Sequence, residues 1–109
     1  MKSLVAMILM TAVLMWVTPL MAADVAAGKE LYGKKCASCH GVAGEGKETV
    51  AKTFKVELKH LGSKEVQTMK DADLKKVMLE GKDKMKGVKE VDAKGADNIV
   101  AFLRTLAKK

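Results

Sequence analysis

Apolar positions fall into two regimes along the chain. From Leu4 to Val17 the run LVAMILMTAVLMWV is interrupted only by Thr11, and no charge occurs between residues 4 and 23. Beyond that point apolar and polar positions interleave with helical spacing. Val25, Gly28, Tyr32 and Cys36 fall at i, i+3, i+7 and i+11, one stripe of a helix that Asp24 is placed to cap. Ser63 opens a short helix through Met69. Asp71 is placed to cap another, with Leu74, Val77 and Met78 on its inner face and Gly81 as its stop. Asp92 caps the last, where Ala96, Ile99, Val100, Leu103 and Leu106 form a broad apolar face. Lys108 and Lys109 suit the negative end of that helix's dipole. The best alternating run, Thr53 to Leu58, ends at Lys59-His60-Leu61-Gly62. Residues 42–52 and 81–91 read as Gly-, Lys- and Glu-rich loops. The expectation is an all-α body of three to five helices and two long loops, without internal repeats.

The first regime reads as a secretory signal peptide, residues 1–23. Met1-Lys2 is its positive n-region, Leu4 to Val17 its apolar stretch, and Pro19 ends it before a cut at Ala23. Met21 is larger than the small residue usual at that place. The rival is a retained anchor, since Leu4 to Ala23 is long enough to span a bilayer. On either reading residues 24–109 are exported.

Composition narrows the body further. The chain has 109 residues and a net charge of +7, and every charge except Lys2 falls in residues 24–109. That excludes a multidomain enzyme and a polytopic membrane protein. Only three aromatic residues, Tyr32, Phe54 and Phe102, are available to the body, so its own side chains build a modest core. Small exported domains commonly add disulfides, a metal or a cofactor, and two cysteines allow one disulfide at most.

Cys36-Ala37-Ser38-Cys39-His40 carries the chemistry. Two thiols three positions apart lie on one face of a helical turn, so both can add to the vinyl groups along one porphyrin edge. The imidazole that follows is then held beneath the iron, and this spacing is the signature of covalent haem attachment. A thioredoxin-like dithiol would want a helix start among strands. A zinc site would draw on Cys36, Cys39, His40 and His60, but His40 directly after Cys39 is poorly spaced for a tetrahedral cage. A Cys36–Cys39 disulfide would close too small a loop to stabilise much.

With those residues in view, residues 24–109 resemble a small class I monohaem cytochrome c of the bacterial type. The matching features are Gly28 and Tyr32, Cys36-x-x-Cys39-His40, Gly81-Lys82-Asp83-Lys84-Met85, and the final Ile99-Val100-Ala101-Phe102-Leu103-Arg104-Thr105-Leu106. The resemblance implies helices wrapped around one covalently bound haem c, with the first and last helices crossed. A glycine would permit their backbones to touch, and Tyr32 would pack near Phe102. It implies thioether bonds to Cys36 and Cys39, His40 as proximal iron ligand, and one-electron transfer in the periplasm. A tether to the outer face of the inner membrane is the alternative if residues 1–23 are retained.

The distal ligand is to be chosen among Met69, Met78, Met85 and His60. Met78 lies on an apolar stripe, and Met69 looks like a packing residue at a helix entrance. Met85 stands between Lys84 and Lys86, where a thioether has little to pack against, and it matches the family's axial Met; it is the expected ligand. His60 would give a bis-His iron. His/Met ligation raises the potential and closes both axial positions, which favours electron transfer over small-molecule activation. The chain departs from the family pattern twice. Lys86 replaces the Pro common after the axial Met, and the loop from Gly41 to Gly46 lacks the Pro that orients the proximal imidazole. The first departure keeps a second function open, a haem ligand sensor or peroxidatic centre with a labile or absent distal Met. Lys82, Lys84, Lys86 and Lys89 are expected to ring an exposed haem edge and steer redox proteins with acidic docking faces. No nucleic-acid recognition motif accompanies the charge. No acid, base or nucleophile constellation stands out, so no enzyme activity is expected.

Overall fold

The computed structural model describes residues 23–108. The signal-peptide reading, apart from its last residue, therefore lies outside the described residues. Within them no helix is long and apolar enough to cross a membrane.

The first helix, α1 (Val25–Lys35), starts where the Asp24 carboxylate accepts the Ala27 N–H at 3.1 Å. Of the expected stripe, Gly28 and Tyr32 are buried but Val25 is 42% exposed, so burial begins at Gly28. The helix breaks at Cys36, whose φ of −118° separates it from α2 (Ala37–His40). Next comes α3 (Glu48–Phe54), in a stretch that begins within the expected loop. It buries no residue, and its apolar positions Val50, Ala51 and Phe54 span little more than one turn, too short a pattern to mark a helix. It is held instead by local bonds, including Thr53 Oγ1 donating to the Thr49 carbonyl and a Lys52–Glu48 ion pair.

Ser63 caps the short α4 (Lys64–Gln67) as expected. For α5 (Asp71–Glu80) the cap residue is Lys70, and Asp71 is the first helical residue. The Asp71 carboxylate is occupied elsewhere, accepting from Arg104 Nε at 3.2 Å and Nη2 at 2.5 Å. Leu74 and Met78 are buried, Val77 only half-buried. After Gly81 the expected loop forms a small hairpin, β1 (Gly81–Lys82) against β2 (Met85–Lys86), pairing Gly81 with Lys86 and Lys82 with Met85. The last helix, α6 (Ala93–Thr105), is capped by Asp92, whose carboxylate accepts the Gly95 N–H at 2.7 Å.

The fold is all-α, as expected. Six helical segments appear among the described residues rather than three to five, because α1 breaks at Cys36 and α3 replaces loop. The crossing of α1 and α6 organises it. A Cβ at Gly28 would lie 1.9 Å from the Asn98 carbonyl oxygen, so only glycine lets the two backbones meet. One turn further on, the Tyr32 and Phe102 rings pack with centroids 5.1 Å apart at 51°, a pairing that adds about 1 kcal/mol to the burial of the rings. Ile99, Val100 and Leu103 of α6 complete the core with Leu74 and Met78 of α5, and Val66 and Val91 close it. This core is one-sided, since several of its members also face open space.

Candidate functional site

That space consists of two adjoining clefts. The first opens between α1, α5 and α6, walled by Tyr32, Leu61, Val66, Leu74, Ile99 and Leu103 among others. The second is walled by Val50, Phe54, Val56, Leu58 and Val88. Both have the mostly apolar walls usual at sites for a large organic ligand. Three residues line both clefts: Cys36, His40 and Met85. Cys39 lines the second alone.

The proximal residues come from the break between α1 and α2. Cys36 is half-buried and Cys39 exposed, and both thiols are free. Burial, with the neighbouring Cys39 adding to it, pushes the Cys36 thiol up to about 11. A redox dithiol needs the opposite shift, so the thioredoxin-like reading has no support here. Burial also lowers the pKa of His40, which keeps its imidazole neutral and able to ligate a metal. Its Nδ1 is buried and finds no hydrogen-bond partner among the described residues.

The chain beyond His40 lacks the proline but is held by hydrogen bonds. The Cys39 carbonyl accepts from Lys47 N–H at 2.9 Å and the His40 carbonyl from Gly46 N–H at 2.6 Å. The Gly41 carbonyl accepts from Gly44 N–H at 3.2 Å and from the buried Tyr32 hydroxyl at 2.5 Å. Burial first, then the proximity of Cys36 and Glu45, raises the Tyr32 phenol to about 12.

On the facing side stand the methionines. Met69, Met78 and Met85 all line the first cleft, but Met85 alone of them also lines the second. His60 lines neither, and its Nδ1 accepts the Gly62 N–H at 2.9 Å. Lys82 borders the first cleft and Lys84 and Lys86 the second, whereas Lys89 is exposed away from both. Among the described residues no three His, Cys, Asp or Glu side chains gather as a metal cage, which leaves the zinc reading without its ligands.

A family model described as cytochrome c oxidase, cbb3-type, subunit III matches residues 23–103. The chain belongs to that family. It is a small c-type cytochrome, its cofactor is covalently bound haem c with its iron, and its role is haem-based electron transfer with redox partners. No curated protein matches the chain.

The residues present in this cytochrome fit that group. A neutral imidazole, a thioether and two free thiols, the donor set for an iron and two vinyl groups, meet at the junction of two clefts with mostly apolar walls. Sequence reasoning missed the second cleft's wall, because Val50 and Phe54 lie on the unrecognised α3. It also missed the polar frame behind the first cleft. Gln67 Nε2 donates to the carbonyls of Leu61 and Leu103, and Arg104 reaches the carbonyls of Gln67 and Met69. No local signal announces such bonds, since each joins positions brought together only by folding, up to 37 residues apart.

Proposed function

We propose that this cytochrome is an exported one-electron carrier of the periplasm, with His/Met axial ligation. The observation that carries the reading is the junction of the two clefts, where His40 and Met85 share both walls with Cys36. Haem c supplies an iron that changes oxidation state without making or breaking bonds to a substrate.

The protein's residues do the rest. Cys36 and Cys39 would hold the porphyrin through thioether bonds and His40 would ligate the iron. Met85 would supply the second ligand, a soft thioether that favours the ferrous state and raises the potential. The apolar walls from Leu61 to Leu103 would limit water at the group, so that little solvent reorganises on electron transfer. Lys82, Lys84 and Lys86 border the clefts and steer partners with acidic faces, a rate effect that salt screens. Residues 1–23 act as the export signal or, if retained, as a tether to the outer face of the inner membrane.

One observation favours the sensor or peroxidatic reading. Met85 is carried by strands of two residues joined through Asp83, a non-glycine residue at φ +52°. A ligand on so small a hairpin is one that can be released.

Optical spectra of the haem-loaded protein, oxidised and reduced, test the reading. The expected result is a low-spin spectrum with the weak ferric Met–iron charge-transfer band, lost in Met85→Ala and kept in Met69→Ala and His60→Ala. A high-spin wild-type spectrum that binds carbon monoxide readily supports the sensor instead. N-terminal sequencing of the exported protein separates free from tethered.

A further inference from the structure

A metal-bound imidazole is ordinarily oriented by the hydrogen bond its other nitrogen makes. His40 Nδ1 makes none among the described residues. The ring must therefore be aimed by the main chain that carries it. Upstream that chain is helical, with the His40 N–H bonded to the Cys36 carbonyl at 3.0 Å. Downstream it turns at Gly41, with φ +82° and ψ 161°, a conformation nearly confined to glycine and so the freest joint beside the ligand.

We propose that the Tyr32 hydroxyl is a positioning group for His40: by holding the Gly41 carbonyl it fixes this joint and with it the rotation of the proximal ring. The inference rests on the reading of His40 as an iron ligand. Among the described residues, Tyr32 Oη is the only side-chain atom hydrogen-bonded to the main chain between Cys36 and Gly41. It is well suited to the task. Tyr32 is 1% exposed, and its ring is packed against Phe102, so the hydroxyl is delivered from the α1–α6 crossing. A phenylalanine would fill the same space and leave the Gly41 carbonyl with only the longer bond from Gly44 N–H at 3.2 Å. The proline missing from the Gly41–Gly46 loop is thus answered by a side chain from the preceding helix.

The test is proton NMR of the oxidised haem-loaded protein, where the haem-methyl shifts report the orientation of the axial imidazole. Tyr32→Phe is expected to redistribute those shifts and to speed amide exchange at residues 41–44 about five- to tenfold, the equivalent of one lost hydrogen bond. Phe102→Leu, which spares the hydroxyl, is expected to lower the thermal midpoint while leaving the methyl pattern in place. A Tyr32→Phe protein with a lower midpoint but unchanged methyl shifts and exchange overturns the proposal. So does an equal change of pattern in both variants, which would assign the effect to packing. If Tyr32→Phe does not take up haem, the wild type still decides. A coupling through the hydrogen bond between the Tyr32 hydroxyl proton and the Gly41 carbonyl carbon supports the tether, and its absence overturns it. A wild type without iron-shifted His40 ring resonances removes the ligand reading first, whatever the coupling reports.

Discussion

The two sides of the cleft are held by different means. On the proximal side His40 follows a helix, and the carbonyls of Cys39, His40 and Gly41 each accept a hydrogen bond, one of them from Tyr32 at the α1–α6 crossing. On the distal side Met85 rides a six-residue hairpin that leans on the body through Val88 N–H to the Met78 carbonyl at 2.8 Å. Exposed Lys82, Lys84 and Lys86 surround it, and their like charges repel. One side is anchored in the core, the other is a clip on the surface. On the proposed ligation, this difference would let His40 define the iron site while the Met85 loop sets how firmly it closes.

Removing haem abolishes the comparison and has the largest expected effect. The buried side chains line one side of the clefts and need a partner across them. The Cys36→Ala/Cys39→Ala double variant, made without haem attachment, is expected to lose its cooperative thermal transition in circular dichroism.

Two glycines sharpen the comparison because their backbones match. Gly41 ends α2 at φ +82°, ψ 161°, and Gly81 ends α5 at φ +86°, ψ 170°. Alanine at either is expected to cost about 1–3 kcal/mol in strain. At Gly41 the new Cβ meets the flexible Glu45 side chain, which can move aside. At Gly81 it meets the Met85 carbonyl oxygen at 2.5 Å and the Gly87 nitrogen at 2.7 Å, which cannot. Gly81→Ala is therefore the more damaging to ligation. It should lose the Met–iron band and bind carbon monoxide, while Gly41→Ala keeps the band and shows its cost in the midpoint of denaturation.

Alkaline pH probes the Tyr32 hydroxyl, with Tyr32→Phe as the control that isolates it. The folded protein holds the Tyr32 proton up to about 12, against 10.0 for an ordinary tyrosine. Above pH 10 the unfolded chain gives up that proton first, so stability falls as pH rises from 10 toward 12. In Tyr32→Phe that decline is expected to be shallower in denaturant titrations across the same window. The smallest effect belongs to the hairpin. Asp83→Gly relieves a left-handed backbone and should stabilise the Met85 clip by about 0.5 kcal/mol. It is read as slower carbon monoxide binding, with the thermal midpoint nearly unchanged.

Local chemistry carried the proximal half of this protein in plain view. The spacing of Cys36, Cys39 and His40, the caps at Asp24, Ser63 and Asp92, and the apolar face of α6 all rest on positions a few residues apart, whose relation the helix itself sets. The expected close approach at Gly28 and the Tyr32–Phe102 pair followed from the resemblance and stand in the fold. Hidden were the features whose partners lie far along the chain. Helix α3 buries nothing and its Val50, Ala51 and Phe54 span little more than one turn, so its wall of the second cleft went unread. Asp71 looks like a cap until Arg104, 33 residues away, takes its carboxylate. Among the four distal candidates Met85 already stood out in the sequence, by its lysine neighbours and the family's pattern. What the fold adds is which cleft each reaches, and that depends on where α5 and its hairpin settle against α6. Helical turns are short-range and a motif within one turn survives any packing, whereas a ligand from another segment exists only after long-range burial has chosen which segments face each other.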